Sequence, residues 1–466
     1  MNLKELYTSA LTAAKSGNFT DAIRKLELIP VTKIGEEDKA NINLLLGAAY
    51  LMVGENEKAV QRLSDALAVV PENAAGWSNL GEGWRRIGQF NKAVEAVGKA
   101  LELCPDNTDA YNNLGNALRS QGKFDEAIIS YRKVLALNPD YTDAYYNIGN
   151  VLQAQGKFDD AIMSYCNALE LRPDYAEVYN NMGNAFQGQG LPDKATKSYR
   201  KALLLRPKYP VAHFNMGNAL KAQGKIGEAI ISYQNAVILK PDYVDAYYNM
   251  GSALSNVKFS KLEPHMDETL CKLLDQDNLV RPIDIVGAAI SLIKHDPRLK
   301  TLIENNFFKI NPPNIQKKII SLSDIILLMK IMVSCPIPDL DIELLLTKIR
   351  REILLKFHIY NIPDILPFQL SLARQCFINE YIYNTTEVEI QNLKKREDVI
   401  IDNISKGIYP KANELLCLSC YKPLSEYSWV SEIPIPIELE SINIQQVLDP
   451  LSERRLASGI PKVKNF

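Results

Sequence analysis

The chain has 466 residues, 47% hydrophobic and 23% charged, with 53 Lys plus Arg against 55 Asp plus Glu, a formal net charge of −2. That composition is globular, which excludes wholesale disorder, and the balance lacks the basic surplus of a protein that lives on phosphate contacts. Seven scattered cysteines make no disulfide framework, the first 19 residues hold no signal-length apolar run, and the most apolar stretch, 319–337, is broken by Asp324 and Lys330. The expectation is a soluble, cytoplasmic protein with neither nucleic acid nor membrane as partner, long enough for one repeat array plus a second unit.

From residue 40 the chain is periodic. Gly47, Gly81, Gly115, Gly149, Gly183, Gly217 and Gly251 lie 34 residues apart. The same period carries Gly54 to Gly224, Ala59 to Ala229 and Pro71 to Pro241. Each repeat reads as two antiparallel helices, with the first glycine and the alanine small where the helices approach. The second glycine suits a left-handed C-cap, as in Gln121-Gly122-Lys123. Asp125 and Asp159 stand where an N-cap of the second helix is needed, and the proline marks that helix's end. Between Thr108 and Leu137 the apolar positions, Tyr111, Leu114, Leu118, Phe124, Ala127, Ile128, Tyr131 and Val134, keep helical spacing.

This pattern resembles the tetratricopeptide repeat. The resemblance implies an all-α, right-handed superhelical solenoid: a degenerate first repeat over 1–39, six full repeats over 40–243, and a half repeat over 244–257. A second, mostly helical region follows over 258–466.

Solenoids of this kind bind with the concave face, lined by the first helices. One asparagine recurs there two places before each glycine: Asn79, Asn113, Asn147, Asn181, Asn215 and Asn249. A shorter series follows at Asn116, Asn150, Asn184 and Asn218. A carboxamide offers donor and acceptor together, so a ladder of them suits an extended peptide backbone; the same residues would also serve to satisfy neighbouring repeats. The wording Ala110-Tyr-Asn-Asn-Leu-Gly-Asn-Ala-Leu118 is similar to the repeats of protein O-GlcNAc transferases, which implies peptide-backbone binding by the first six. Asp109, Asp143, Glu177 and Asp245 read as an acidic line of the groove, Arg85, Arg119 and Lys221 as a partial basic one, and Tyr146, Phe214 and Tyr248 as aromatic faces. His213 reads as a helix-packing residue.

After 257 the period stops, Ile and Leu dominate, and glycine is reduced to Gly287, Gly407 and Gly459. Helices are expected between Pro282, Pro297, Pro312-Pro313, Pro336, Pro363 and Pro410, with an irregular tail over 423–436 and a last helix near 444–456. No glycine-rich turn, HExxH or GxSxG spacing occurs, and Cys417-Leu-Ser-Cys420 is a lone pair that reads as helix core. No catalytic residue, metal site or cofactor is therefore assigned, and His265, His295 and His358 read as isolated surface or capping residues. Leu279-Val-Arg-Pro282, His295-Asp-Pro297, Gln375-Cys-Phe-Ile-Asn-Glu-Tyr381 and Gln446-Val-Leu-Asp-Pro450 resemble the middle region of bacterial proteins that join tetratricopeptide repeats to an S-adenosylmethionine-dependent methyltransferase domain. In such proteins that domain would follow near Pro461, so its residues have no positions here.

The functional expectation is a non-enzymatic interaction scaffold that holds an extended partner segment in the groove. Two alternatives stand beside it: the recognition half of a methyltransferase whose catalytic domain lies elsewhere, and a weaker reading as a glycosyltransferase accessory.

Overall fold

The computed structural model describes residues 3–30, 34–276, 278–304, 312–360, 362–379 and 385–430, and all regular structure among them is helical. The chain divides into two compact units, Met1–Gly224 and Lys225–Phe466, with the division between the two helices of the sixth repeat.

The first unit is a run of helix pairs. They are α1 (Leu3–Lys15) with α2 (Phe19–Glu27), α3 (Glu36–Val53) with α4 (Asn56–Leu67), and α5 (Ala74–Arg86) with α6 (Phe90–Leu103). Then come α7 (Thr108–Ser120) with α8 (Phe124–Leu137), α9 (Thr142–Ala154) with α10 (Phe158–Leu171), α11 (Ala176–Gly188) with α12 (Pro192–Leu205), and α13 (Pro210–Ala222). The turn inside each pair is set by a glycine in the left-handed region. At Gly122, φ is +76°, the Gly122 N–H donates to Arg119 O, and the Lys123 N–H donates to Leu118 O. These two bonds satisfy carbonyls that the helix end would leave unpaired. Asp125 and Asp159 do not cap: α8 and α10 begin after Lys123 and Lys157, which make no side-chain cap bond. The two carboxylates lie within the first turn, favourable to the helix dipole, and accept bonds from Gln155 (2.9 Å) and Gln189 (2.7 Å) of the next repeat.

The helices of a pair touch at glycine. A Cβ built on Gly115, Gly149 or Gly183 would stand 2.5 Å from the ring of Tyr131, Tyr165 or Tyr199, and all three tyrosines are fully buried. In earlier repeats Leu63 and Val97 occupy the same slot against Gly47 and Gly81. Ala93, Ala127, Ala161 and Ala195 are fully buried where the second helix meets its neighbours. First helices of successive repeats pack on one another (α3 on α5, α5 on α7, α7 on α9, α9 on α11, α11 on α13). The second helices make no comparable set of contacts, so the first helices line the inner side of the curve. This is the solenoid expected from the period.

The second unit opens with α14 (Ile226–Leu239) and α15 (Val244–Leu254). The half repeat has no second helix to fill its glycine slot. Val280 does so instead: it lies 2.7 Å from a Cβ built on Gly251, and α15 packs on α17 (Pro282–Ile293). The remaining helices are α16 (Pro264–Leu274), α18 (Pro297–Glu304), α19 (Pro312–Ser323), α20 (Ile326–Ser334), α21 (Leu340–Leu355), α22 (Phe357–Tyr360), α23 (Leu366–Ile378), α24 (Glu387–Ser405) and α25 (Ala412–Ser419). Pro264, Pro282, Pro297 and Pro312 each open a helix, where a missing N–H costs nothing. The apolar run 319–337 is explained by α20, which packs against α16, α17, α19 and α23 and buries Leu327, Leu328, Ile331 and Met332. Its Lys330 pairs with Asp275. No described helix is long and apolar enough to cross a membrane. Between α21 and α24 a buried ion pair forms, with Arg350 Nη2 3.5 Å from Glu389 Oε1 and the Tyr421 hydroxyl donating to the same oxygen at 3.0 Å. Cys417 and Cys420 are buried; the Cys420 thiol lies 3.2 Å from Leu416 O, and burial pushes the Cys417 thiol up to about 12. His295 does not cap a helix: its Nε2 lies 3.0 Å from Phe259 O in the connection between α15 and α16. The tail beyond 430, including the expected helix near 444–456, the Gln446–Pro450 phrase and Gly459, lies outside the described residues, as do Glu380 and Tyr381.

Two glycines separate packing from helix propensity. In Gly149→Ala the added methyl collides with the buried Tyr165 ring, and overpacking of this kind costs about 1–3 kcal/mol. Gly98 lies inside α6 with nothing within 4 Å of its Cβ position, so Gly98→Ala should stabilise by about 0.5–1 kcal/mol. Urea unfolding should show opposite shifts in midpoint for the two.

Candidate functional site

The inner face of the first unit is built from α3, α5, α7, α9, α11 and α13. Toward its N-terminal end it forms a cleft of about 480 Å³ lined by Leu45, Met52, Asn79, Glu82, Asn112, Asn113, Asn116 and Tyr141, among others. Apolar side chains of α3 give one wall and amides give the floor.

The first asparagine series forms hydrogen bonds from repeat to repeat. Asn113 Nδ2 donates to Ser78 Oγ at 3.0 Å, Asn147 Nδ2 to Asn112 Oδ1 at 3.1 Å, and Asn215 Nδ2 to Asn180 Oδ1 at 3.1 Å. Asn181 Nδ2 donates to Asn150 Oδ1 at 2.8 Å and to the Tyr146 hydroxyl at 3.2 Å, and its own Oδ1 accepts from Asn180. The side-chain oxygens of Asn113 and Asn147 have no partner among the described residues. Asn79 is half-buried in the cleft and makes no side-chain bond among the described residues. Asn249 is half-buried on α15 in the second unit.

The second series is held differently. The hydroxyls of Tyr131, Tyr165 and Tyr199 donate to Asn116 Oδ1 (2.8 Å), Asn150 Oδ1 (2.8 Å) and Asn184 Oδ1 (2.7 Å) of the same repeat. With the oxygen taken inside the repeat, each Nδ2 group is turned away from the tyrosine and makes no bond among the described residues. Asn218 lies half-buried on α13. Sequence reasoning took both series as one kind of residue and did not see their division of labour. The signal was present: a tyrosine sixteen residues after each glycine in these repeats, and an asparagine directly after that glycine.

The acidic line is largely spent on bonds inside each repeat, between its first helix and its last residues. Asp143 Oδ1 accepts from Arg172 Nη2 at 2.6 Å and from the Tyr175 hydroxyl at 3.1 Å. Glu177 accepts from Arg206 at 2.5 Å, and Asp109 from the Tyr141 hydroxyl at 3.1 Å. Burial, with Asp109 adding to it, pushes the Tyr141 hydroxyl up to about 12. Glu82, at the position of Asn116 one repeat earlier, accepts from Arg85 Nε (2.7 Å) and Nη2 (2.8 Å) and from Arg86 Nε (2.6 Å). Arg86 Nη1 also donates to Leu51 O, closing the end of α3. His213 packs as expected: its Nε2 sits 3.0 Å from Pro207 O, as Trp77 Nε1 donates to Pro71 O at 2.8 Å.

Comparison with known proteins agrees with this architecture. Family models for the TPR repeat match residues 115–156, 149–190 and 217–257, and models for the tetratricopeptide repeat match 74–107, 98–129 and 176–209. No curated protein matches the chain. Among solved structures the chain is similar to MamA, at 30% identity over 37% of this chain and 93% of that one, with a TM-score of 0.32. It is also similar to a tetratricopeptide repeat protein from Parabacteroides merdae (15% identity, 53% and 97% covered, TM-score 0.45). A third is YrrB, described as a TPR protein with an unusual peptide-binding site (22%, 40% and 96%, 0.33).

The Glu82 cluster gives a pH test. Burial alone would raise the Glu82 carboxyl, but the bonds from Arg85 and Arg86 outweigh it and hold it below the ordinary range. A folded value below the unfolded one, about 4.3, means the stabilisation is present above that pH and is lost as pH falls through the folded value. Glu82→Gln should therefore be less stable than the wild type at pH 7 and approach it at pH 3, read by urea unfolding at both.

Proposed function

The repeated half of this chain belongs to the tetratricopeptide-repeat family, and on that premise we propose that its inner face binds an extended segment of a partner protein. One observation carries the reading: the groove floor presents amide groups whose bonding is half complete. Asn113 and Asn147 spend their N–H groups on the preceding repeat and offer oxygens; Asn116, Asn150 and Asn184 spend their oxygens on tyrosine and offer N–H groups. An extended backbone alternates donor and acceptor along its length and would bond to both rows at once. Each such bond contributes about 0.5–1.5 kcal/mol net, so the backbone part of the affinity comes from several rungs together.

The chain acts as a scaffold in this reading, and the second unit, through Val280, fills the slot that the half repeat leaves open. Replacing Asn113, Asn147 and Asn150 together by alanine should weaken partner capture by at least about tenfold, the equivalent of one to two such bonds. Capture is measured by pull-down with the full chain, and far-UV circular dichroism should stay unchanged. Capture at wild-type strength by the folded triple variant would rule the groove out.

A further inference from the structure

Resting on the groove reading, we propose that the captured segment is acidic and that Arg119 receives one of its side-chain carboxylates. Arg119 lies three residues after Asn116 and seven after Asn112 on α7, so it shares their face of the helix. It is half-buried, yet its guanidinium makes no ion pair or hydrogen bond among the described residues. A guanidinium carries five donors and no acceptor, and this one has no protein acceptor beside it among the described residues, so it is available to an arriving carboxylate.

The other charges on this face do not supply that acceptor. Asp143 and Glu177 are held by Arg172 and Arg206 at the ends of the second helices of their own repeats. Glu82 serves two guanidiniums with one carboxylate, which leaves the Arg85–Glu82–Arg86 cluster one positive charge in surplus. Asp109 stands at the opposite end of α7, ten residues or about 15 Å from Arg119 along the helix axis. The positive field is felt locally. Tyr131, Tyr165 and Tyr199 are all fully buried, and burial raises each of them. Tyr131 is pushed up to about 12 with Arg119 and Arg85 opposing the rise, and Arg119 opposes it at Tyr165 in the next repeat as well. Arg85, Arg86 and Arg119 against Glu82 and Asp109 leave this stretch of the amide-lined face with one positive charge in surplus.

The test uses the full chain and three fluorescent peptides, acetylated and amidated so that no terminal carboxylate is present: four copies of Gly-Ser-Asp-Ala, of Gly-Ser-Asn-Ala, and of Gly-Ser-Lys-Ala. Anisotropy titrations at low salt should show the Asp peptide bound about tenfold more tightly than its Asn isostere, a gap that narrows with added salt. Arg119→Gln should close the gap while leaving binding of the Asn peptide in place, and Arg119→Glu should reverse the preference toward the Lys peptide. Equal binding of Asp and Asn peptides by the wild type, abolished in the triple asparagine variant, would overturn the acidic preference and leave the groove standing. Failure of all three peptides to bind the folded wild type would overturn the groove reading itself, and this proposal with it.

Discussion

The crossing of two helices at a glycine is the contact on which the array depends. At Gly115, Gly149 and Gly183 the absent side chain makes room for a whole tyrosine ring, and the ring is fully buried. That one contact sets the distance between the helices of a pair and so the shape of each repeat. It also reaches the surface. The hydroxyl of the buried tyrosine fixes the amide of the next residue, Asn116, Asn150 or Asn184, and so decides which atoms the groove displays. Core packing and groove chemistry are two ends of one side chain.

Neighbouring repeats are joined by polar bonds on top of apolar burial. Gln155 and Gln189 reach back to Asp125 and Asp159 and the ladder asparagines reach back across the floor, while Arg172 and Arg206 close their own repeats on Asp143 and Glu177. Such bonds are individually weak, and the exposed ion pairs among them contribute about 0–1 kcal/mol each. Their effect is on register and on charge: they neutralise acidic side chains that would otherwise face a ligand. In the third repeat Asn138 stands where Arg172 and Arg206 stand later, so Asp109 is met by the neutral Tyr141 hydroxyl alone, whereas in the second Glu82 is shared by two arginines.

The second unit solves the problem every half repeat poses. A first helix without its partner leaves an open slot at its glycine, and Gly251 is covered by Val280 from the turn before α17. The helices beyond are arranged around α20, which packs on four of them and buries Leu327, Leu328, Ile331 and Met332.

Most of the fold was legible in the sequence, because a 34-residue period in glycine, alanine and proline is imposed by close helix contacts and tight turns, which tolerate few residue types. The asparagine positions on the inner face were legible for the same reason. What the period could not distinguish was the partner of each polar group. Asp125 and Asp159 have the composition of caps, and Asp143 and Glu177 that of ligand contacts; each is instead bonded to a residue about thirty places onward in the chain. The two asparagine series likewise look alike in sequence and differ only in which atom is already taken. A repeat pattern records what each residue must be to fit its own helix pair. The bonds of a polar side chain are set by how far the next repeat turns and advances, and that is decided only when the helices stack.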